Sequence, residues 1–285
     1  MRLENEMDEI LVRHGIETNQ LLDQSFMIDE AMIKKIVSTA DIQPNESVVE
    51  IGAGIGFVSR ELAKTGARIV SIDIDPKLEK ILKSQLKGTN VRVVLGNALK
   101  FMKNENFDKI VSNTPYSITE PLIKELAYMK FKQAYLSVPK KFAYRLLKRD
   151  GVGMFAQIFF DVEILFDIPK KSFKPSPNVN TVFIKIEHRS KEYYKKHIQD
   201  FILKELLLQK TKKLRNAIIE ATINLGKMHG KKMTKNESKD LIKGFNLNNT
   251  VLENKINHIN LKMLVDIIKP LNFKVISYLT KIRGK

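Results

Sequence analysis

Short apolar runs alternate with amphipathic stretches over the first two thirds of the chain. The runs contain β-branched residues, which is typical of buried strands, and the amphipathic stretches place apolar residues at helical spacing. The predicted strands are a run from Val48 that stops at the glycines after Ile51, Arg68–Ile74, Val91–Leu95, Lys109–Ser112 and Ala134–Val138. The predicted helices are Asp29–Thr39, Gly56–Lys64, Pro76–Leu86, Thr119–Tyr128 and Lys140–Leu147. This alternation predicts an α/β fold with a doubly wound, mostly parallel sheet that binds ligands at the carboxyl ends of its strands.

The pattern changes on both sides of this alternating region. Phe155–Phe166 and Val179–Ile186 are predicted as two further strands with no helix between them, which gives an antiparallel pair at the sheet edge and seven strands in all. From Tyr193 onward, apolar residues recur at helical spacing, whereas residues 1–22 are polar and irregular. We therefore predict an α/β domain at 1–189 and a small all-α domain at 190–285.

The charge distribution makes the predicted second domain strongly basic. The chain of 285 residues has a formal net charge of +17, and residues 188–285 hold 22 Lys+Arg against 8 Asp+Glu, which leaves 27 against 24 for the rest. This imbalance favours a polyanionic partner, most simply nucleic acid, although surface lysine also serves solubility.

Features that are absent from the sequence exclude several classes of protein. It contains no cysteine, which excludes disulfides and thiolate metal sites, and we expect no metal. No apolar run is long enough for a membrane helix, and the first residues lack the basic-then-apolar pattern of a secretory signal. We therefore expect a cytoplasmic protein that does not bind membranes, and we expect it to be a monomer.

A glycine-rich turn follows the first predicted strand. Counting from Gly52 or from Gly54, the third glycine of the dinucleotide pattern G-x-G-x-x-G falls on Phe57 or Ser59, so that fingerprint is excluded. The remaining pattern is E-x-G-x-G-x-G from Glu50. It is similar to the S-adenosylmethionine turn of Rossmann-like methyltransferases, in which glycines let backbone amides approach the ligand at a helix start. The alternative is an ordinary glycine-rich turn.

The next two predicted strands end in side chains suited to a nucleoside. Asp73 closes the second strand, where a carboxylate can accept hydrogen bonds from both ribose hydroxyls, although a surface acid closing a strand is common. The third strand is followed by Asn97 and Ala98, at the place where such methyltransferases usually have an acid for the cofactor's adenine amine.

The fourth predicted strand leads into the tetrapeptide Asn113-Thr114-Pro115-Tyr116. An exocyclic adenine amine is a poor nucleophile because its lone pair is delocalised into the ring. Two acceptors, the Asn113 side-chain carbonyl and the Pro115 backbone carbonyl, can turn that lone pair toward a methyl donor while Tyr116 stacks on the base. By itself, the tetrapeptide fits a simple proline turn equally well. Its position after the glycine turn and Asp73 favours the chemical interpretation.

These motifs resemble those of the ribosomal RNA adenine dimethyltransferases, which include small-subunit dimethyladenosine transferases and erythromycin-resistance methylases. Two further segments carry the resemblance, because generic methyltransferases lack them. Phe173–Thr181 is similar to the family's F-x-P-x-P-x-V-x-S loop, and Lys212–Asn216 resembles the basic helix that opens its RNA-contacting domain. Asp23–Asp29 also resembles the family's amino-terminal cofactor motif, Gly-Gln-(Asn or His)-Phe-Leu.

The resemblance implies a class I methyltransferase that uses S-adenosylmethionine and dimethylates adjacent adenines near the 3′ end of small-subunit ribosomal RNA, in ribosome biogenesis. The implied catalytic residues are Asn113, Pro115, Tyr116 and Phe173, of which Phe173 is placed against the target adenine. The implied cofactor contacts are Gln24, Ser25, Met27, Glu50, Gly52, Gly54, Asp73, Asn97, Ala98 and Asn113. The implied RNA contacts are Lys212, Lys213 and Arg215.

Departures from the family pattern leave two alternatives open. Asp23 stands for glycine, Ser25 for asparagine or histidine, Asn97 for aspartate, and Thr114 for leucine or isoleucine. Because the first three lie at cofactor positions, one alternative is a ribosome-assembly RNA-binding factor with weak or no methylation. The other is a large-subunit rRNA adenine methylase that confers macrolide resistance, which would share every catalytic residue. The basic carboxyl-terminal domain favours the small-subunit branch.

Overall fold

The computed structural model describes residues 2–16, 24–243 and 248–270. The chain divides into two compact units, Met1–His188 and Arg189–Lys285. Among the described residues, no helix is long and apolar enough to cross a membrane.

The first unit is built on a mostly parallel sheet. Its described strands are β1 (Phe26–Met27), β2 (Ser47–Ile51), β3 (Arg68–Asp73), β4 (Val91–Leu95), β5 (Lys109–Asn113), β6 (Gln133–Pro139), β7 (Phe160–Ile168), β8 (Phe173–Lys174) and β9 (Thr181–His188). Seven of them form one sheet in the order β4-β3-β2-β5-β6-β9-β7. Neighbours from β4 to β6 are parallel, whereas β9 runs antiparallel to both β6 and β7. The predicted fold class, including the antiparallel edge pair, is confirmed.

Helices connect these strands and bury their apolar sides against the sheet. They are α1 (Arg2–Arg13), α2 (Glu30–Thr39), α3 (Phe57–Ala63), α4 (Pro76–Gln85), α5 (Ala98–Met102), α6 (Thr119–Leu126), α7 (Lys140–Leu146) and α8 (Gly151–Phe159). Local sequence explains where several begin. Asp29 caps α2 by accepting from the Met32 N–H, and Asp75 caps α4, whose first residue is Pro76.

Two predictions about this unit are wrong. Residues 1–22 were expected to be irregular, but Arg2–Arg13 form α1 and bury Leu3, Met7 and Ile10. Phe155–Phe166 was expected to be one strand, but α8 continues to Phe159 and β7 begins at Phe160. The α8 segment is buried on most of its surface, and a continuous apolar run has no periodicity that separates a buried helix from a strand.

The sheet brings the functional segments to one edge. Because β2, β3, β4 and β5 are parallel, the residues that follow them meet at their carboxyl ends. A separate two-stranded pairing of β1 with β8 places Met27 opposite Phe173, so segments about 150 residues apart in sequence are adjacent there. The apolar cluster beneath these segments includes Phe26, Met27 and Phe173.

The second unit is helical over its described residues, as predicted. Its helices are α9 (Lys191–Lys196), α10 (Ile198–Leu207), α11 (Leu214–Met228), α12 (Lys235–Lys243) and α13 (Asn249–Glu253), followed by a helical stretch at 261–270. Helix α11 is central, since it packs against α10, α12 and α13 and buries its apolar face, including Ile218 and Leu225.

Candidate active site

A cavity at the carboxyl ends of the parallel strands collects the predicted site residues of the first unit. Its lining includes Gln24, Ser25, Met27, Glu50, Gly52, Gly54, Asp73, Asn97, Ala98, Asn113, Pro115, Tyr116 and Phe173. Asp23, the remaining predicted position of the amino-terminal motif, lies outside the described residues. The structure thus joins the glycine turn, the strand ends, the tetrapeptide and the loop around Phe173 in one space.

The glycine turn has a backbone that only glycine adopts readily. Gly52 and Gly54 have φ of 73° and 58°, in the left-handed region. A Cβ atom on Gly52 would lie 3.3 Å from the Pro115 ring, and one on Gly54 would lie 3.0 Å from the Phe26 ring. Side chains at these positions would therefore occupy space inside the cavity, so glycine keeps it open beside the backbone.

Glu50 is a buried carboxylate at the base of this turn. It accepts hydrogen bonds from the hydroxyls of Ser71, at 2.6 Å, and Ser59. Burial raises the pKa of Glu50 to about 7, because the charged form loses hydration and the two hydroxyls offset only part of that loss. Among the described residues, no lysine or arginine forms an ion pair with it.

Asp73 is held by two backbone amides. The Gly54 N–H donates to Oδ2 at 2.7 Å and the Asp75 N–H donates to Oδ1 at 2.9 Å. Burial raises the pKa of Asp73 as well. Each carboxylate oxygen retains a further lone pair, so Asp73 can accept from two hydroxyl groups. Gln24 donates to Asp75 Oδ2 at 2.7 Å, which ties the amino-terminal motif to the start of α4.

Asn97 is exposed and begins α5. Its Oδ1 accepts from the Lys100 N–H at 3.1 Å, which makes it the N-cap of that helix, and Ala98 is buried in the first turn. One lone pair of Oδ1 is therefore used for capping, and the other remains for a ligand.

Asn113 is oriented by a backbone carbonyl. Its Nδ2 donates to the Ser25 carbonyl oxygen at 2.9 Å, and this bond distinguishes the amide nitrogen from Oδ1. The Ser25 hydroxyl in turn donates to the Pro175 carbonyl oxygen at 2.7 Å. Ser25, predicted as a cofactor contact, thus also links the tetrapeptide to the loop around Phe173.

The tetrapeptide leads into a short three-ten turn, Tyr116–Ile118, of which Tyr116 is the first residue. The Pro115 carbonyl oxygen accepts from the Ile118 N–H at 3.1 Å and from the Thr119 hydroxyl at 3.3 Å. The Tyr116 hydroxyl lies 2.6 Å from Thr181 Oγ1. Both residues therefore make contacts that the sequence did not predict.

Phe173 is packed into the wall of the cavity. It is 4% exposed and lies in β8 opposite Met27, which is 3% exposed. The Ile28 N–H donates to the Ser172 carbonyl oxygen at 2.9 Å, and the Ser172 hydroxyl donates to Asp29 at 2.8 Å. These bonds fix the segment that carries Phe173 against the segment that carries Met27.

The predicted RNA-contacting cations lie in the second unit, at the start of α11. Each is paired with a carboxylate, Lys212 with Glu220, and Lys213 and Arg215 with Glu253. The side chains of the three cations are 42% to 55% exposed, so the pairs are solvated.

Sequence reasoning missed three hydroxyl residues that support the site, Ser59, Ser71 and Thr181. Ser71 had a usable signal, because it interrupts an apolar strand, but its pairing opposite Glu50 is visible only in the structure. Thr181 closes the predicted loop motif but had no role assigned to it. The described residues contain no group of side chains that could hold a metal ion.

Comparison with known proteins identifies the family. The model of a family described as ribosomal RNA adenine dimethylase matches residues 15–262. A Thermotoga neapolitana protein named ribosomal RNA small subunit methyltransferase A is 34% identical over 215 residues, covering 73% of this chain and 82% of its own length. A Methanosarcina mazei protein named probable ribosomal RNA small subunit methyltransferase A is 33% identical over 222 residues, covering 75% and 81%.

Solved structures agree on the fold. A dimethyladenosine transferase from Plasmodium falciparum has a TM-score of 0.56 at 23% identity, covering 86% of this chain and 97% of that one. The 23S rRNA methyltransferase ErmE has a TM-score of 0.53 at 20% identity, covering 87% and 99%.

The cofactor that this family uses is S-adenosylmethionine, and the cavity suits it. Asp73 has free lone pairs for ribose hydroxyls, and Glu50 is a buried carboxylate suited to a cationic ligand. The glycine turn keeps side chains out of the space between them. Fold, site and relatives lead to one conclusion: the chain belongs to the ribosomal RNA adenine dimethylase family.

Proposed function

We propose that this protein dimethylates the exocyclic amines of adjacent adenines near the 3′ end of small-subunit ribosomal RNA, using S-adenosylmethionine. The observation that carries the proposal is the Asn113 side chain. Its Nδ2 is committed to the Ser25 carbonyl at 2.9 Å, inside the cavity that also contains Asp73 and Glu50. Asn113 Oδ1 is therefore left as an acceptor next to a site suited to the methyl donor.

S-adenosylmethionine supplies an electrophilic methyl group on its sulfonium sulfur. Asp73 would accept from the ribose hydroxyls, and the backbone amides of Gly54 and Asp75 keep its oxygens in place. Asn97 and Ala98 would hold the adenine of the cofactor, with the second lone pair of Asn97 Oδ1 as acceptor. Gln24, Ser25 and Met27 close the cavity from the amino-terminal side, and Glu50 complements the cationic charge.

The target amine is activated by acceptors rather than by a strong base. Asn113 Oδ1 accepts one amine proton and turns the lone pair out of conjugation with the ring. Pro115 provides the second acceptor; because Ile118 and Thr119 already donate to its carbonyl oxygen, the amine would replace the longer bond, from the Thr119 hydroxyl. After it receives the methyl group, the nitrogen is acidic and loses its proton to water.

Two aromatic side chains fix the target base. Tyr116, the first residue of the three-ten turn, stacks on the adenine, and Phe173 contacts the base from its own loop. Stacking of this kind contributes about 1–3 kcal/mol per base. Stacking would hold the amine in position while Asn113 accepts from it.

The second unit supplies RNA affinity in this proposal. Residues 190–285 form the RNA-contacting domain and residues 1–189 the methyltransferase domain. Lys212, Lys213 and Arg215 contact phosphates, and they exchange the carboxylates of Glu220 and Glu253 for the RNA backbone.

The small-subunit target is supported by relatives that carry small-subunit methyltransferase in their names. We place the activity in the cytoplasm, on assembling ribosomal subunits, with the protein as a monomer. Two alternatives predict different products. An assembly factor would bind the subunit without transferring methyl groups, and a resistance methylase would modify the large subunit.

Methyl transfer to unmethylated small subunits, large subunits and free RNA, measured in parallel with labelled S-adenosylmethionine, tests the proposal. We expect label in small subunits, recovered as dimethyladenosine after nucleoside analysis. Label confined to large subunits would favour the resistance methylase. Subunit binding without any label would favour the assembly factor.

A further inference from the structure

Thr181 contacts the tetrapeptide from the opposite end of the loop that begins at Phe173. Its Oγ1 lies 2.6 Å from the Tyr116 hydroxyl, although the two residues are 65 positions apart in sequence. This is a side-chain to side-chain contact, so it depends on both residue types, and a backbone atom cannot replace it.

Thr181 is a fixed point in the structure. It is the first residue of β9 and is 1% exposed. Its backbone is paired on both sides, with Pro139 of β6 and with Ile168 of β7. A threonine side chain has a restricted χ1 because it is branched at Cβ. The hydroxyl is therefore held in one place by two neighbouring strands.

Tyr116 is less constrained without this contact. Its backbone lies in a turn of three residues, and its side chain is half-buried. Anchoring the hydroxyl at one end and Cα at the other fixes the long axis of the ring, so only rotation about that axis remains. The position and the long axis of the ring are then set before the base arrives, and the base fixes the remaining rotation when it stacks on the ring.

We propose that Thr181 is a positioning residue for methyl transfer, which holds the Tyr116 ring through its hydroxyl in the orientation that the target adenine needs. The proposal rests on the proposed function, since Tyr116 is taken as the platform for that base. Thr181 itself touches neither substrate nor cofactor. Small errors of alignment between reacting atoms lower rates by up to about 100-fold, so the contact should affect the chemical step more than binding.

The test uses full-length protein and single-turnover methyl transfer to unmethylated small subunits. Thr181→Val removes the hydroxyl at nearly constant volume, and Thr181→Ser keeps it. We expect Thr181→Val to lower the rate constant at saturation about 10- to 100-fold, with S-adenosylmethionine affinity unchanged, and Thr181→Ser to restore most of the rate. Thr222→Val is the matched control, because Thr222 is also a buried threonine but bonds only to carbonyls of its own helix in the second unit.

A double-mutant cycle tests whether Thr181 acts through Tyr116. Tyr116→Phe removes the other half of the contact, so the double variant with Thr181→Val should be no slower than the slower single variant. A loss equal to the product of the two single losses would overturn the proposal. So would a normal rate for Thr181→Val, or failure of Thr181→Ser to restore what Thr181→Val loses.

A measurement without substrate separates this proposal from the proposed function. In protein with 13C-labelled tyrosine, the ring signal of Tyr116 is assigned by its disappearance in Tyr116→Phe. We expect this signal to shift and broaden in Thr181→Val and to stay near its original position in Thr181→Ser. If wild-type protein fails to methylate small subunits, the proposed function is wrong, whereas an unchanged Tyr116 signal in Thr181→Val would refute the role of Thr181.

Discussion

The two ends of the central sheet differ in the partners of their buried carboxylates. At the amino ends of the strands, Lys109 and Glu46 form a buried ion pair at 3.0 Å, with side chains 6% and 8% exposed. Lys109 also donates to the carbonyl oxygens of Ala40 and Asp41, and Lys132 pairs with Glu46 and Asp108. At the carboxyl ends, Glu50 and Asp73 are surrounded by hydroxyl and amide donors, and neither forms an ion pair with a described lysine or arginine.

The pKa values of these carboxyl groups follow the same division. Burial opposes ionisation of Glu46, but the Gln43 N–H and Lys109 together lower its pKa, and the Ser47 donors and Lys132 lower the pKa of Asp108 to about 2. Burial raises the pKa of Glu50 to about 7 and also raises that of Asp73. At the amino ends of the strands, the negative charges of the carboxylates are balanced by lysines of the protein. At the carboxyl ends, a bound cationic ligand would provide the balancing positive charge.

The largest effect on stability is expected at the amino end. Lys109→Met removes the cation of the buried pair and leaves Glu46 with reduced compensation, which should lower the free energy of unfolding by about 3–5 kcal/mol. Chemical denaturation measures the loss. Lys34→Met is the control, because its pair with Glu30 is an exposed helical one, and solvent screening leaves such a pair little effect on stability. Cofactor affinity of the folded Lys109→Met protein should be unchanged; a large loss would show that the two ends are coupled.

The largest effect on catalysis is expected at the carboxyl end. Asn113→Ala removes the acceptor for the target amine and should lower turnover at saturation by about 10²- to 10³-fold, the usual scale for one preorganised polar group. Single-turnover methyl transfer measures the loss. Asn90→Ala provides the comparison, since Asn90 also donates to a backbone carbonyl, that of Ala67, but does not line the cavity. Near-normal turnover of Asn113→Ala would show that Asn113 does not activate the amine as proposed.

The pH dependence of stability tests whether Glu50 lacks a cationic partner in the protein. Its pKa is about 7 in the folded protein against a reference value of 4.5, so its contribution to stability is complete below about 4.5 and is lost as pH rises through 7. Glu50→Gln imitates the protonated form and keeps an acceptor for Ser59 and Ser71. The variant should match wild type near pH 4.5 and exceed it by roughly 3 kcal/mol above pH 8.

The same substitution should weaken S-adenosylmethionine binding, because the carboxylate that complements the cationic cofactor is gone. Denaturation at several pH values and calorimetry with the cofactor measure the two effects. Equal stability of both proteins at pH 8 would mean that Glu50 ionises without penalty, and unaltered affinity would place the cofactor's charge elsewhere.

The sequence predicted which residues meet at the carboxyl ends of the strands, but not the contacts that orient their side chains. Glu50, Asp73 and Asn113 were predicted to lie together because parallel strands share an edge, and periodicity located those strands. The orientation of Asn113 was not predictable, since the Ser25 atom that fixes it is a backbone carbonyl, which any residue supplies. That contact also explains how serine can occupy a position where the family has asparagine or histidine.

Helix α1 was missed for a different reason. Leu3, Met7, Ile10 and Leu11 follow helical spacing, but the many charged residues between them concealed it. Ion pairs hold α1 against the rest of the first unit. Arg60 pairs with Glu6, and Lys174 pairs with Glu4 and Asp8. These ion pairs join residues more than 50 positions apart, and sequence spacing gives no indication of such pairs.

The smallest effect is expected at Asn97, on the exposed margin of the same end. An asparagine carbonyl accepts from the cofactor's adenine amine with a neutral bond of about 0.5–1.5 kcal/mol, where a carboxylate gives about 1.5–3 kcal/mol. Asn97 is exposed, which screens the added charge, and Oδ1 also caps α5. Asn97→Asp preserves the cap, because aspartate is equally favoured there.

For Asn97→Asp we therefore expect about a threefold gain in S-adenosylmethionine affinity, at the low end of that difference. Turnover at saturation should be unchanged, because the contact is the same in ground and transition states. Calorimetry and saturated methyl transfer separate the outcomes. Weaker binding by the aspartate variant would show that a third carboxylate beside Glu50 and Asp73 is unfavourable, and that the carboxyl end has already reached the negative charge that the cofactor can neutralise.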